Sequence, residues 1–269
     1  MSKLQEVFKN KSNNVLNVYC TAGYPHLDST LTIINTLQAN GADIIELGMP
    51  YSDPLADGPV IQASSNVALA NGMTIATLFN QLRPHPKGSN QSSPSGAEGY
   101  EKKAAIILMG YMNPVLQYGF EKFCADAAAV GVDGLILPDL PEYEYETEYG
   151  VIIKKYGLDF IFLVTPETSE ERVRRLDSLS SGFLYAVSSS STTGNEKDFN
   201  AVEKYLERLK SMKLNNPILV GFGIKDKSTF SAACKYANGA IIGTAYIKAL
   251  EGSTNVEQTT KAFLDSILK

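Results

Sequence analysis

Residues 43 to 62 read Asp-Ile-Ile-Glu-Leu-Gly-Met-Pro-Tyr-Ser-Asp-Pro-Leu-Ala-Asp-Gly-Pro-Val-Ile-Gln. A short apolar run, Asp43–Leu47, breaks into a loop rich in Pro, Gly and Asp. A run this short, closed off by turn formers, reads as a buried strand. Seven more runs of the same kind follow the pattern: Leu16–Cys20, Ala105–Met109, Gly134–Leu137, Phe160–Val164, Phe183–Val187, Ile218–Val220 and Ala240–Ile242. Amphipathic segments lie between them, among them Ser29–Ala39, Phe120–Val130, Ser169–Leu179 and Phe199–Met212.

Strands that alternate with helices predict a parallel sheet with crossover helices. Eight such strands are the number that closes a (β/α)8 TIM barrel. We expect one α/β barrel domain over residues 1–269, with an additional N-terminal helix (Leu4–Phe8) and a last helix at Val256–Leu268. An open doubly wound sheet is the alternative, and no G-x-G-x-x-G after the first strand supports it. One stretch breaks the rhythm. Residues 84–99 hold no large apolar side chain and cannot offset their ordering entropy by burial, so they read as a flexible surface insertion.

Composition narrows the function. A chain of 269 residues, 44% hydrophobic, can bury a full core. A net charge of −5 and a pI near 5.2 argue against nucleic acid as a partner. Cys20, Cys124 and Cys234 are far apart and form no CxxC, which suits a reducing compartment, the cytoplasm. The first residues lack a signal-peptide core, and no apolar run approaches the roughly 20 residues of a membrane span.

The opening stretch also carries the chemistry. Side chains alternate along a strand, so Ile44, Glu46 and Gly48 share one face. If Ile45 and Leu47 pack under helices, Glu46 points into the barrel near its C-terminal mouth, where barrel enzymes hold their chemistry. A buried carboxylate is costly without a partner or a task, and on spacing alone either explanation stands. Asp57 reads most simply as an Asp-Gly turn or a helix cap, and Asp53 as an Asx-turn residue. Two carboxylates in different surroundings nevertheless suit acid–base work. Other catalytic devices are missing. None of the eight strands contains a lysine for a Schiff base. The two histidines, His26 and His85, are too few for a metal cluster, so no metal is expected. Two glycine-rich strand ends, Gly221-Phe222-Gly223 and Gly243-Thr244, lie one βα unit apart and could bring backbone N–H groups to one anion.

Glu46-Leu47-Gly48-Met49-Pro50-Tyr51-Ser52-Asp53-Pro54-Leu55-Ala56-Asp57-Gly58-Pro59 resembles the signature of the tryptophan synthase alpha subunit family. Thr21–Pro25, Met109–Pro114 and Gly131–Pro141 resemble further parts of that family's pattern. The likeness spans about residues 15 to 250 outside the insertion. It implies retro-aldol cleavage of indole-3-glycerol phosphate to indole and glyceraldehyde 3-phosphate. It also implies roles. Glu46 and Asp57 would be the catalytic acids, with Tyr185 beside Glu46. Tyr19, Met109 and Ile136 would line the indole slot. Gly194, Gly223, Gly243 and Thr244 would hold phosphate, and Thr193 would sit on a closing lid in the Ser188–Lys197 loop. Asp53 and Pro54 would touch a beta subunit in an alpha2-beta2 heterotetramer, with pyridoxal phosphate only in that partner. Asp139 would help hold the catalytic loop closed. Tyr19 stands where the family often has phenylalanine, so its hydroxyl needs a partner. Thr244 replaces a common serine and keeps the hydroxyl. Two other readings fit the same residues: a barrel whose chemistry has lapsed, and a stand-alone lyase without a beta partner.

Overall fold

The structure is a computed structural model and describes residues 1–83, 103–187, 197–221 and 223–269; for 197–201 it describes the backbone only. The 84–99 insertion, the lid residues Thr193 and Gly194, His85 and Phe222 lie outside the described residues.

Nine parallel strands, numbered in chain order, form one sheet: β1 (Val15–Thr21), β2 (Ile44–Gly48), β3 (Ala105–Met109), β4 (Gly134–Ile136), β5 (Asp159–Phe160), β6 (Leu163–Val164), β7 (Leu184–Val187), β8 (Ile218–Gly221) and β9 (Gly239–Ile242). Their order is β5-β4-β3-β2-β1-β9-β8-β7-β6. The two ends of that order are adjacent in sequence. Only Ile161 and Phe162 separate β5 from β6, and both continue the ladder. Ile161 N–H donates to the Leu135 carbonyl (3.0 Å), and Tyr185 N–H donates to the Phe162 carbonyl (3.1 Å). The predicted Phe160–Val164 strand is therefore one stave of the wall, bent so that its first half pairs with β4 and its second with β7. Eight staves close the barrel.

Short polar side chains at strand entrances pin the register. Asp43 Oδ2 accepts from Leu16 N–H (2.8 Å), Asp133 Oδ2 from Ile106 N–H (2.8 Å) and Asn238 Oδ1 from Ile218 N–H (2.9 Å). Each ties the start of one strand to the residue that leads into its neighbour.

The alternation along β2 sorts the core. Ile44 joins the interior cluster with Val15, Ile107, Ile136, Leu219 and Ile241, while Ile45 and Leu47 pack under the outer helices. The N-terminal helix, Lys3–Asn10, plugs the bottom. Leu4 is fully buried in the interior cluster, and the Phe8 ring lies 6.2 Å from that of Phe183. Helices Ser29–Ala39 and Val256–Leu268 fall as the apolar periodicity predicts. Several further helices were not legible as such, including Pro59–Ala70, Ile75–Leu82 and Met112–Tyr118. The first two follow loops in which Pro59 at the first helical position and Thr74 as a cap supply the start signals.

Candidate active site

β1 and β2 run side by side with Tyr19 opposite Glu46 and Thr21 opposite Gly48. Glu46 is fully buried. Its Oε1 accepts a 2.5 Å hydrogen bond from Asn17 Nδ2, and its Oε2 has no partner. Burial disfavours the charged form and pushes the carboxyl up to about 8, against a smaller downward pull from Asn17. Glu46 is thus an acid that keeps its proton at neutral pH and can release it within the working range of an enzyme.

Asp57 sits in the loop above. Its Oδ2 accepts from the Tyr111 hydroxyl (3.1 Å), and that hydroxyl in turn accepts from Ala56 N–H (3.0 Å). One phenol therefore clamps two consecutive residues of the loop. The Tyr111 ring lies 5.4 Å from that of Tyr51, whose hydroxyl accepts from Asn113 Nδ2 (3.1 Å). Burial also raises the Asp57 carboxyl, and the Tyr111 bond opposes that rise. Glu46, Asp57 and Tyr19 all act electrostatically on the buried Tyr185 phenol, so these four groups form one cluster.

Two glycines make room for the aromatic rings. A β-carbon at Gly48 would lie 2.1 Å from the Tyr19 hydroxyl, and one at Gly221 would lie 2.6 Å from that of Tyr185. The Tyr19 hydroxyl, which the sequence left needing a partner, bonds the Thr21 side chain. Thr21 Oγ1 is also 2.6 Å from Ser64 Oγ. Met109 pairs in register with Gly48 on one side and Ile136 on the other, and Met109, Ile136 and Tyr185 all belong to or pack on the interior apolar cluster. An apolar wall thus adjoins the carboxylate cluster.

The two glycine-rich ends are not equivalent. Helix Lys227–Ala233, beyond Gly223, is capped by Asp226, whose side chain accepts from Thr229 N–H. At that end the cap takes up one helix-start N–H, that of Thr229. Helix Thr244–Leu250 has Gly243 at its cap and no side-chain bond there. Gly223 adopts a left-handed φ of 43°, with open space where a β-carbon would stand.

Asp139 bonds the backbone next to Tyr111. Its two carboxylate oxygens accept from Met112 N–H, each at 3.0 Å. It fixes the turn that carries Tyr111, and Tyr111 holds the loop. Asp53 is exposed and accepts from Ser52 Oγ (2.5 Å), and Pro54 is buried. Leu55 between Pro54 and Ala56 is 95% exposed. Sequence reasoning missed Asn17 and Tyr111. The signal for Asn17 was available, because it shares the inward parity of Val15 and Tyr19 on an otherwise apolar strand.

Tyr111→Phe should slow turnover by about tenfold, the worth of a hydrogen bond to a charged group. With its donor gone, the Asp57 carboxyl rises further. The acid limb of the rate–pH profile should therefore move to higher pH. Steady-state rates from pH 5 to 9 check this; an unmoved limb would detach Tyr111 from Asp57.

A family model described as tryptophan synthase alpha chain matches residues 5–267. A tryptophan synthase alpha chain from Flavobacterium johnsoniae is 51% identical over 252 residues, covering 93% of this chain and 92% of its own. One from Parabacteroides distasonis is 45% identical over 268 residues and covers 99% of both. The solved tryptophan synthase subunit alpha from Legionella pneumophila superposes with a TM-score of 0.84 at 32% identity, covering 99% of this chain and 97% of that one. A chain of tryptophan synthase from M. tuberculosis, in its aminoacrylate-bound form, gives 0.80 at 30% identity and covers 99% and 100%. Likeness of this extent, over nearly the whole chain, places it in the tryptophan synthase alpha chain family.

Proposed function

We propose that Glu46 and Asp57 carry out the carbon–carbon cleavage that this family performs on indole-3-glycerol phosphate, giving indole and glyceraldehyde 3-phosphate. The observation that carries the assignment is Glu46 itself: fully buried on the inner face, held by one oxygen and unpartnered at the other, and protonated at neutral pH. The reaction needs a group that gives one proton and takes another. Glu46 as the acid protonates the ring carbon that bears the side chain. The ring becomes an iminium cation, and the Asp57 carboxylate stabilises its N–H. Glu46, now a carboxylate, accepts the side-chain hydroxyl proton. The carbon–carbon bond breaks, its electrons return to the ring, and the hydroxyl carbon becomes the aldehyde. Glu46 ends protonated, as it began.

The indole ring itself is the electron sink, so no step calls for a cofactor on this chain. Among the described residues no group of three or more His, Cys, Asp or Glu is placed to hold a metal ion. Tyr19, Met109 and Ile136 would flank the ring, and Tyr185 would close the side near Glu46. Gly243 and Thr244 would meet the phosphate, with Gly223 and Gly194 completing the contact and Thr193 on a lid over it.

The family works with a beta subunit. We place that partner, with its own pyridoxal phosphate, against the Asp53–Pro54 segment in an alpha2-beta2 assembly in the cytoplasm. An exposed leucine beside Pro54 favours this over a stand-alone lyase. The same loop then carries a catalytic acid and an interface, and a partner that prefers the closed loop raises the rate. Asp53→Ala should lower activation by the beta subunit about fivefold, the equivalent of about 1 kcal/mol of coupling. Its basal rate should change less. Indole release, titrated with beta subunit, measures both; a proportional loss of the two would remove Asp53 from the coupling.

A further inference from the structure

A carboxyl that must act as acid and then as base meets a positional problem. Whatever holds it in one protonation state tends to repel it in the other. A lysine would lock the carboxylate and pull its proton affinity down. A second acid would share its proton. A hydrocarbon would hold neither form. A primary amide is different, because it carries a donor and an acceptor at the end of one rigid group.

Asn17 supplies that amide. It lies on β1 on the inward face, fully buried, opposite Ile44 on one side and Ile241 on the other. An amide in such apolar company is expensive unless its hydrogen bonds are made. One is made, the 2.5 Å bond from Nδ2 to Glu46 Oε1. Two buried acceptors remain without donors: Asn17 Oδ1 and Glu46 Oε2. One proton on the Glu46 carboxyl, with a half-turn of the amide, gives Asn17 Oδ1 a donor in place of the bond from Nδ2. One hydrogen bond therefore joins the pair in either form of the acid.

Among the described residues Asn17 makes the one side-chain hydrogen bond to Glu46, and the other groups nearby act on it only at longer range. Tyr19 on β1 and Tyr185 on β7 feel its charge, as does Cys20 from the outer face of β1, with Asp57 acting on the same two tyrosines from the loop. All are acids or neutral groups whose charged forms would repel a carboxylate. No Lys, Arg or His among the described residues acts on Glu46.

We propose that Asn17 is the positioning residue of the proton shuttle: its amide donates to the Glu46 carboxylate, accepts from the Glu46 acid, and so holds one geometry through both halves of the reaction. The proposal rests on the reading of Glu46 as the shuttle. It assigns Asn17 no contact with substrate.

The test compares Asn17→Leu, close to isosteric but without polar atoms, and Asn17→Ala with wild type and Glu46→Gln. Single-turnover indole formation is followed from pH 6 to 10. Removing the donor should raise the pH at which kcat/KM falls by about one unit. The same change should lower kcat about tenfold and leave KM nearly unchanged. A variant with an unmoved alkaline limb and a wild-type kcat, while Glu46→Gln is inactive, overturns the role of Asn17 alone. An active Glu46→Gln overturns the shuttle itself. Wild-type protein gives a reading that does not depend on variant folding. With 15N-labelled asparagine, the Asn17 side-chain amide resonances should follow the Glu46 titration. Resonances that stay fixed across that range overturn the proposal.

Discussion

Glu46→Gln will reduce indole release by at least about 10²-fold, the loss expected when a positioned acid–base group is removed. The amide keeps the size of the side chain and can accept the same bond from Asn17. It can neither give a proton to the ring carbon nor take one from the hydroxyl. The folded state should not suffer. In the folded chain the Glu46 carboxyl sits at about 8, above its ordinary value of 4.5, so the folded state binds the extra proton. The stability linked to that proton is fully present below about pH 4.5. It is lost as pH rises towards 8 and above, where a charge must be buried. The glutamine side chain of the variant carries no such penalty. The thermal midpoint of the variant should therefore gain on wild type as pH rises from 5 to 9. Single-turnover indole formation and thermal unfolding across that range check both halves. An active variant removes Glu46 from the mechanism, and a variant that loses ground in stability as pH rises contradicts its buried, protonated state.

Gly243→Val will weaken binding of glycerol phosphate compounds roughly tenfold to a hundredfold, the cost of charge-assisted hydrogen bonds that no longer form. Affinity for indole should barely change. Gly243 follows β9 and stands at the uncapped start of helix Thr244–Leu250. A β-carbon there would meet Tyr19 Cβ at 3.4 Å and Cδ1 at 3.6 Å, ordinary contact distances. Its φ of −118° is open to any residue. The fold therefore admits a first carbon, and Gly243→Ala serves as the milder step. The added bulk acts on the space that an anion needs to approach the backbone. Calorimetry with glycerol phosphate and with indole separates the two effects. Equal losses for both ligands would mean that Gly243 only supports the wall behind Tyr19.

Most of the barrel was legible because its strands are short and apolar and end on turn formers. Ala105–Met109 falls where the sequence puts it, and the others differ by a residue or two at their ends. Phe160–Val164 was readable as a strand. Its division into β5 and β6 was not, since a bend that serves two neighbours leaves no mark in periodicity. The helices Ile75–Leu82 and Met112–Tyr118 were hidden because about two turns give too few repeats for a 3.6-residue period. Parity along β2 placed Glu46 correctly, but the family signature rather than spacing marked Asp57. Tyr111 escaped because its value lies in a contact across 54 positions of sequence, from its own loop to Asp57. The difference between the two glycine-rich ends rests on the Asp226 side chain folding back on its own helix, a local choice that a G-x-G pattern does not reveal.

The most direct measurement is the pH profile of kcat/KM for indole release from indole-3-glycerol phosphate by the wild-type chain, with saturating beta subunit and without it. That ratio reports the ionisation of the free enzyme. If Glu46 begins each turnover as the acid, the profile falls as pH rises through about 8, with or without the partner. A profile that climbs through that range, or a chain that releases no indole under either condition, contradicts the account.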